Sequence, residues 1–471
     1  MLDRKIALNS IISAGARIIG LALSLITIGF ISRYLGQTGF GYYATIVAFL
    51  YFFTVLADLG IYSICLREIS RPEADEKKIM SNAFTLRFFA GLITFGLAPL
   101  IILLFPYPGE VKLGVLIGSV SFWLLSNQQV LIGVFQKHLR MDKIALAELT
   151  GRLAQLGVVT FFIWQGMSIL FIITALIVGS LINFGLTFFF VRKYIPISFQ
   201  FDFVFWKNLL KKSLPLGIAI IFTAVYFKLD TIMLSLMKPA ADVGIYNLSY
   251  KLLESILFFP TMFIGLIMPL MSKYAFSLRE KFNQIIQESL NVLLIFVLPM
   301  IIGTLFLSDR IILLISGQDF ILSAQVLNIL IFAVGIIFFG VLFSNMIISL
   351  EKQKTLTYIY GFGLLINLVT NFIFIPKYTY YGAAWTTVLT ELVVTFLMAF
   401  VLFRTLDKLP SFKYIFKYIL AALIMALFLY YFINLPLFVL ILLAVLVYFV
   451  SLSLFGGFSI KQVLTLIKKD V

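Results

Sequence analysis

Five cationic side chains, Arg17, Arg87, Arg152, Lys228 and Lys251, interrupt stretches of the chain that are otherwise apolar enough to cross a bilayer. A charge held at the centre of a hydrocarbon layer costs at least about 2.5 kcal/mol, so five retained inside spans point to a wet path lined by protein. Their sign selects an anionic cargo, and guanidinium groups in particular hold phosphate oxygens bidentately. Asp58, Glu148, Asp230, Glu254 and Glu391 are the acidic groups within or near the same stretches. Each is either the charge balance for a nearby cation or a carboxylate able to couple movement to Na+ or H+. Asp230 stands two residues from Lys228, and Glu254 stands three residues from Lys251 on the same helical face.

The elements that position these groups follow from composition. A mean hydropathy of +1.09, with 62% hydrophobic and 12% charged residues over 471 positions, describes a chain whose solvent is mainly lipid. At roughly 20 residues per helical span there is room for about fourteen spans and no sizeable soluble domain. Breaks in hydropathy place them near 8–31, 41–63, 81–104, 113–136, 144–164, 168–191, 213–236, 243–271, 288–307, 325–349, 356–376, 380–403, 413–433 and 435–455. The expected fold is an all-α membrane protein. The N-terminus, MLDRK, is too short for the basic region of a cleaved signal, so the first apolar stretch is expected to remain as a helix.

Outside the spans, Lys and Arg divide 26 to 5 between alternate sides, the five being Arg33, Lys112, Lys238, Arg310 and Lys377; the five in-span cations complete the total of 36. The majority side holds both termini, which places them in the cytoplasm. The +15 net charge is largely this asymmetry and gives no reason to expect a nucleic-acid partner. The single Cys65 excludes an intrachain disulfide and a thiolate cluster, and the lone His138 sits in the short basic loop Lys137-His138-Leu139-Arg140 as a solvated surface group. There is no phosphate-binding loop, no metal-ligand spacing and no large loop carrying paired carboxylates. No catalytic residue, metal or cofactor is therefore expected, and the protein is read as a transporter rather than an enzyme.

Phe40-Gly41-Tyr42-Tyr43, opening the second span, aligns with Val243-Gly244-Ile245-Tyr246, opening the eighth. The offset is 203 residues and six spans separate the copies, so they share an orientation and are related by an axis along the membrane normal. This divides the chain into a six-helix lobe at 1–191, a cytoplasmic linker at 192–212, a second six-helix lobe at 213–403, and two additional helices with a tail at 404–471. In the linker, Phe199, Phe201, Phe203, Val204, Phe205 and Trp206 describe a segment lying in the membrane interface rather than crossing it.

Depth sorts the cations. Arg17, Arg87 and Arg152 lie on spans one, three and five, about 9–14 Å from the cytoplasmic edge at the helical rise. Lys228 and Lys251 lie on spans seven and eight, about 12 Å from the outer edge by the same measure. Three Arg thus mark an inner station on the first lobe and two Lys an outer station on the second. Arg87, the shallowest, reads equally as a side chain that snorkels to its own interface.

Taken in order, Arg33-Tyr34-Leu35-Gly36, Phe40-Gly41-Tyr42-Tyr43, Asp58-Leu59-Gly60 and Arg67-Glu68 resemble the opening signature of the Wzx-type polysaccharide-repeat flippases of the multidrug/oligosaccharidyl-lipid/polysaccharide exporter superfamily. Leu229-Asp230-Thr231-Ile232-Met233-Leu234 and Val243-Gly244-Ile245-Tyr246 resemble that family's seventh and eighth helices. Gly317, Phe320, Ser323, Ala324 and Leu327 match the pattern before its tenth, and Tyr381-Gly382-Ala383-Ala384-Trp385 the start of its twelfth. The resemblance implies two six-helix lobes around a V-shaped cationic cavity, two extra C-terminal helices, and export of polyprenyl-pyrophosphate-linked oligosaccharide across the cytoplasmic membrane by alternating access. It also implies membrane lipids, a polysaccharide polymerase and assembly proteins as partners. Lipid II and teichoic or teichuronic precursors are alternative cargoes of the same chemistry. A drug or cation antiporter of the same superfamily would prefer an acidic cavity.

Overall fold

The computed structural model describes residues 2–71, 73–406, 411 and 413–457, with side chains from Gly15 onward apart from 216, 219, 223 and 224. Lys408, Lys461, Lys468 and Lys469 of the basic count lie outside the described residues. Among the described residues the chain forms thirteen α-helices and no strand: α1 (Leu2–Asp58), α2 (Ile61–Ile69), α3 (Glu76–Ile101), α4 (Gly109–Lys137), α5 (Met141–Trp164), α6 (Ile169–Val191), α7 (Phe203–Met237), α8 (Ala240–Tyr274), α9 (Arg279–Ser316), α10 (Leu322–Ser349), α11 (Gln353–Phe403), α12 (Ile415–Tyr431) and α13 (Leu437–Leu454).

Helices dominate because hydrocarbon offers no partner to a free N–H or C=O, and an α-helix satisfies both within one segment. Eleven of these helices are long and apolar enough to cross a membrane. α1 and α11 are each two rods. α1 turns at Gly36 (φ 64°, ψ −175°) and α11 at Thr379 (φ 51°, ψ −130°), both left-handed. Counting their halves separately and adding the 17-residue α12 recovers the fourteen expected spans. The second span ends where Leu59 (φ 43°) and Gly60 (φ 77°) break the chain between Asp58 and α2. Large apolar side chains such as Leu104, Trp164 and Leu454 stand exposed on helix surfaces, the reverse of a water-soluble protein.

The chain divides into two compact units, Met1–Asn247 and Leu248–Val471. In the first, α4 packs on α6, α3 and α1, α5 on α6 and α1, and α7 on α1. α7 thus groups with the helices before the linker, whereas from sequence it is expected at the start of the second lobe. In the second unit, α10 packs on α11 and α9, and α12 packs on α13 and α9.

The two aligned glycines meet inside the first unit. A Cβ added at Gly41 would stand 1.8 Å from the Ala240 carbonyl oxygen, and one at Gly244 would stand 2.2 Å from that of Gln37. Under the 203-residue offset Gln37 corresponds to Ala240 and Gly41 to Gly244, so the contact is reciprocal. Only glycine permits this approach.

The segment from Ile195 to Asp202 is non-helical and lies along α3. Backbone N–H groups of Ser198, Gln200 and Asp202 donate to Ser81 Oγ, Thr85 Oγ1 and Asn82 Oδ1 at 3.3, 3.0 and 3.0 Å. Phe199 and Phe201, the alternate residues, are exposed and pack edge-on or tilted against Phe88, Phe89 and Trp206. The aromatic residues expected at an interface are therefore divided: 199 and 201 sit on this strap, whereas Phe203 to Trp206 form the first turn of α7, with Asp202 as its cap.

Candidate functional site

In the first unit a cavity of about 160 Å³ is bounded by Ala16 and Arg17 of α1, Tyr62 of α2, Gln129 and Gln136 of α4, and Met141 and Glu148 of α5. Each arrives there for a local reason. Arg17 and Gly20 share a face of α1, three residues apart, and this face meets Glu148 and Arg152 of α5, four residues apart. Gly20 leaves room for the Arg152 guanidinium, whose Nε lies 3.3 Å from where a Cβ would stand. The break at Leu59-Gly60 turns the chain so that Tyr62 faces the C-terminal end of α4. Arg17 is exposed, and neither it nor Arg152 nor Glu148 makes an ion pair within 4.0 Å among the described residues.

Arg87 and Asp58 lie behind this cavity. The Arg87 side chain is 0% and that of Asp58 9% accessible, and they form an ion pair. Arg87 Nε donates to Ser126 Oγ at 3.1 Å, and Nη2 donates to Gln129 Oε1 at 2.8 Å. Asp58 Oδ1 accepts from Tyr62 N–H at 3.4 Å, and Tyr62 Oη donates to Gln136 Oε1 at 2.8 Å. A continuous network therefore joins α1, α2, α3 and α4 and terminates on three cavity walls, Gln129, Tyr62 and Gln136. Arg87 does not snorkel: its guanidinium is enclosed by protein, where a paired and fully hydrogen-bonded charge is tolerable and an unpaired one is not. With no accessible surface in this conformation it cannot itself touch a cargo.

Lys228 lies in the first unit with its Nζ 5.7 Å from the Tyr51 ring centroid. Asp230 is buried and accepts from Tyr246 Oη at 3.0 Å. Lys251 belongs to the second unit, where its Nζ donates to Glu254 Oε2 at 3.0 Å in the i,i+3 ion pair read from the spacing. Glu391 is buried on α11 close to Tyr360. Among the described residues no group of three His, Cys, Asp or Glu is placed to hold a metal ion. The second unit also contains an apolar cavity of about 320 Å³ between α8, α9, α12 and α13, lined by Phe296, Met300, Met425 and Tyr448 among others.

The structure thus brings Arg17, Glu148 and Arg152 together, sets Arg87 with Asp58 behind them, and keeps Lys251 with Glu254 in the other unit. Tyr62, Gln136 and Ser126 carry no periodicity that would single them out in sequence; Tyr62 and Gln136 are 74 residues apart. Gln129 belongs to the run Asn127-Gln128-Gln129 in an apolar span, a visible signal, but its neighbour Gln128 spends its amide on Asn183 of α6 at 2.8 Å.

A family model described as polysaccharide biosynthesis protein matches residues 6–275, and one described as MatE matches residues 215–373. A probable low-salt glycan biosynthesis flippase, Agl15 of Haloferax volcanii, is 24% identical over 393 residues, covering 82% of this chain and 80% of the relative. The lipid II flippase MurJ in an inward closed conformation superposes with a TM-score of 0.77 at 18% identity, covering 94% of this chain and 98% of MurJ. An inward-facing multidrug resistance MATE transporter of the MOP superfamily gives 0.65 at 13% identity, covering 84% of this chain and 98% of the transporter. At these identities the two structures establish the fold.

Proposed function

The chain belongs to the polysaccharide biosynthesis protein family and is a flippase of the multidrug/oligosaccharidyl-lipid/polysaccharide exporter superfamily, and from that premise we propose that its cargo is a polyprenyl-pyrophosphate-linked oligosaccharide. It moves this cargo from the inner to the outer leaflet of the cytoplasmic membrane, with both termini in the cytoplasm, for surface polysaccharide assembly. The observation that carries the reading is Arg17, a cation on a membrane helix that faces a polar cavity without an ion pair among the described residues.

In this reading the pyrophosphate enters from the cytoplasmic side and meets Arg17, with Arg152 beside it on α5. The lipid tail stays in hydrocarbon. Lys228 and Lys251 receive the charge on its outward course, Lys251 exchanging the Glu254 carboxylate for a phosphate oxygen. Alternating access between the two copies of the six-helix segment exposes the sites in turn. With the cell interior negative, each negative charge moved outward gains about 2.3 kcal/mol per 100 mV, so potential alone assists export. Asp58, Glu148, Asp230, Glu254 and Glu391 are the carboxylates that charge balance or Na+ or H+ coupling would use.

The test is flipping of a fluorescent polyprenyl-pyrophosphoryl oligosaccharide in proteoliposomes. Arg17→Ala and Lys251→Ala are each expected to lower the rate at least tenfold. Unchanged rates in Arg17→Ala, Arg152→Ala and Lys251→Ala would show this route to be wrong.

A further inference from the structure

Two glutamines on the cavity wall have their amides turned the same way. Arg87 is a donor with no acceptor atom, so the Gln129 group it touches at 2.8 Å must be the carbonyl oxygen, and the Gln129 NH2 faces away from it. Tyr62 Oη donates to Gln136 Oε1, and in this arrangement the Gln136 NH2 is turned away from the hydroxyl, although a phenol can serve either end of an amide and only the Gln129 orientation is forced. Both residues line the cavity beside Arg17, and neither amide nitrogen donates to another described residue. The contact that fixes the Gln129 orientation is anchored on the fully enclosed Arg87–Asp58 pair and on Ser126, so it is held from outside the cavity.

We infer that Gln129, with Gln136 beside it, determines specificity for a phosphate oxyanion: Arg87 turns the Gln129 N–H groups, not its carbonyl, to the cavity that holds the Arg17 guanidinium. This deepens the reading above and rests on it. Arg17 and the two NH2 groups supply a set of donors without an acceptor, which suits an anion whose oxygens only accept. Glu148, the one carboxylate among the lining residues, opposes the anion, and the donors outnumber it. A cation would find no such match, since Arg17 and the two amide groups, three of the five polar side chains that line the cavity, could offer it hydrogens alone. Arg87 and Asp58 are positioning residues in this scheme, and Gln129 and Gln136 the ones that touch the ligand.

The experiment measures binding of inorganic pyrophosphate to the full-length protein in nanodiscs by calorimetry. Gln129→Glu keeps the oxygen that accepts from Arg87 and replaces the cavity-facing donor by an acceptor; Gln136→Glu does the same against Tyr62. Loss of a hydrogen bond to a charged group predicts at least about tenfold weaker binding for each, with unfolding unchanged for Gln129→Glu because Arg87 retains its partner. Gln129→Met, which removes donor and acceptor alike, is expected to weaken binding to a similar extent. If Gln129→Glu, Gln136→Glu and Gln129→Met bind pyrophosphate as the wild type does while Arg17→Gln does not, the inference is overturned and the proposed function stands. If Arg17→Gln binds normally, or the wild type fails to bind, the assignment of this cavity to the cargo falls and the inference with it.

Discussion

Replacing Arg87 by Met tests whether the buried ion pair organises the first unit. The Arg87 side chain is wholly enclosed and its carboxylate partner 9% accessible, so the variant leaves Asp58 nearly desolvated without a counter-charge. Removing one member of such a pair costs about 3–5 kcal/mol. Ser126 Oγ and Gln129 Oε1 lose their donor at the same time. The double variant Arg87→Met with Asp58→Leu removes both charges, and apolar replacement of a buried pair is commonly close to neutral. It still leaves Ser126 and Gln129 short of a partner, at about 1 kcal/mol each. The expected order is therefore a loss of about 3–5 kcal/mol for the single variant and about 1–2 kcal/mol for the double. Equilibrium unfolding in mixed micelles measures it. A single variant within about 1 kcal/mol of wild type, or a double as unstable as the single, would refute the argument, because either result means that Asp58 does not need the charge of Arg87.

Gly41→Ala and Gly244→Ala each place a Cβ within 2.2 Å or less of a carbonyl oxygen and must push the reciprocal crossing apart; unfolding should show a loss of about 1–3 kcal/mol or more, against no comparable loss for Gly157→Ala, where nothing lies within 4 Å. Arg310 donates from Nη1 to Ile433 O and from Nη2 to Leu435 O, the latter at 2.8 Å, tying α9 to the α12–α13 turn; Arg310→Gln should speed hydrogen exchange in residues 433–440, and unchanged exchange would show that the tether is idle. The Asp202 carboxyl is held below its ordinary range, first by the Phe205 N–H at 2.9 Å and then by Lys78. A depressed carboxyl stabilises above its unfolded pKa and loses that contribution as pH falls through the folded value, so the strap along α3 should loosen only below the ordinary carboxylate range, near pH 4 and lower. Proteolysis across 195–202 as a function of pH reads this, and Asp202→Asn should cleave at neutral pH as readily as the wild type does in acid.

Hydropathy was enough to establish the all-α membrane class and the fourteen spans, because lipid allows few backbone solutions. Arg17 and Lys251 were recognisable as buried-stretch cations for the same reason, and the Lys251–Glu254 pair because it is local to one helix turn. Sequence by itself also placed Arg87 within an apolar stretch, but did not show what encloses it. Asp58 is 29 residues away and Gln129 is 42, separations that carry no period and that only packing of α1, α3 and α4 brings within hydrogen-bond reach. The same holds for the amide orientation of Gln129. An amide has a donor end and an acceptor end, and which of them faces the cavity is decided by the neighbour that tertiary structure supplies behind it.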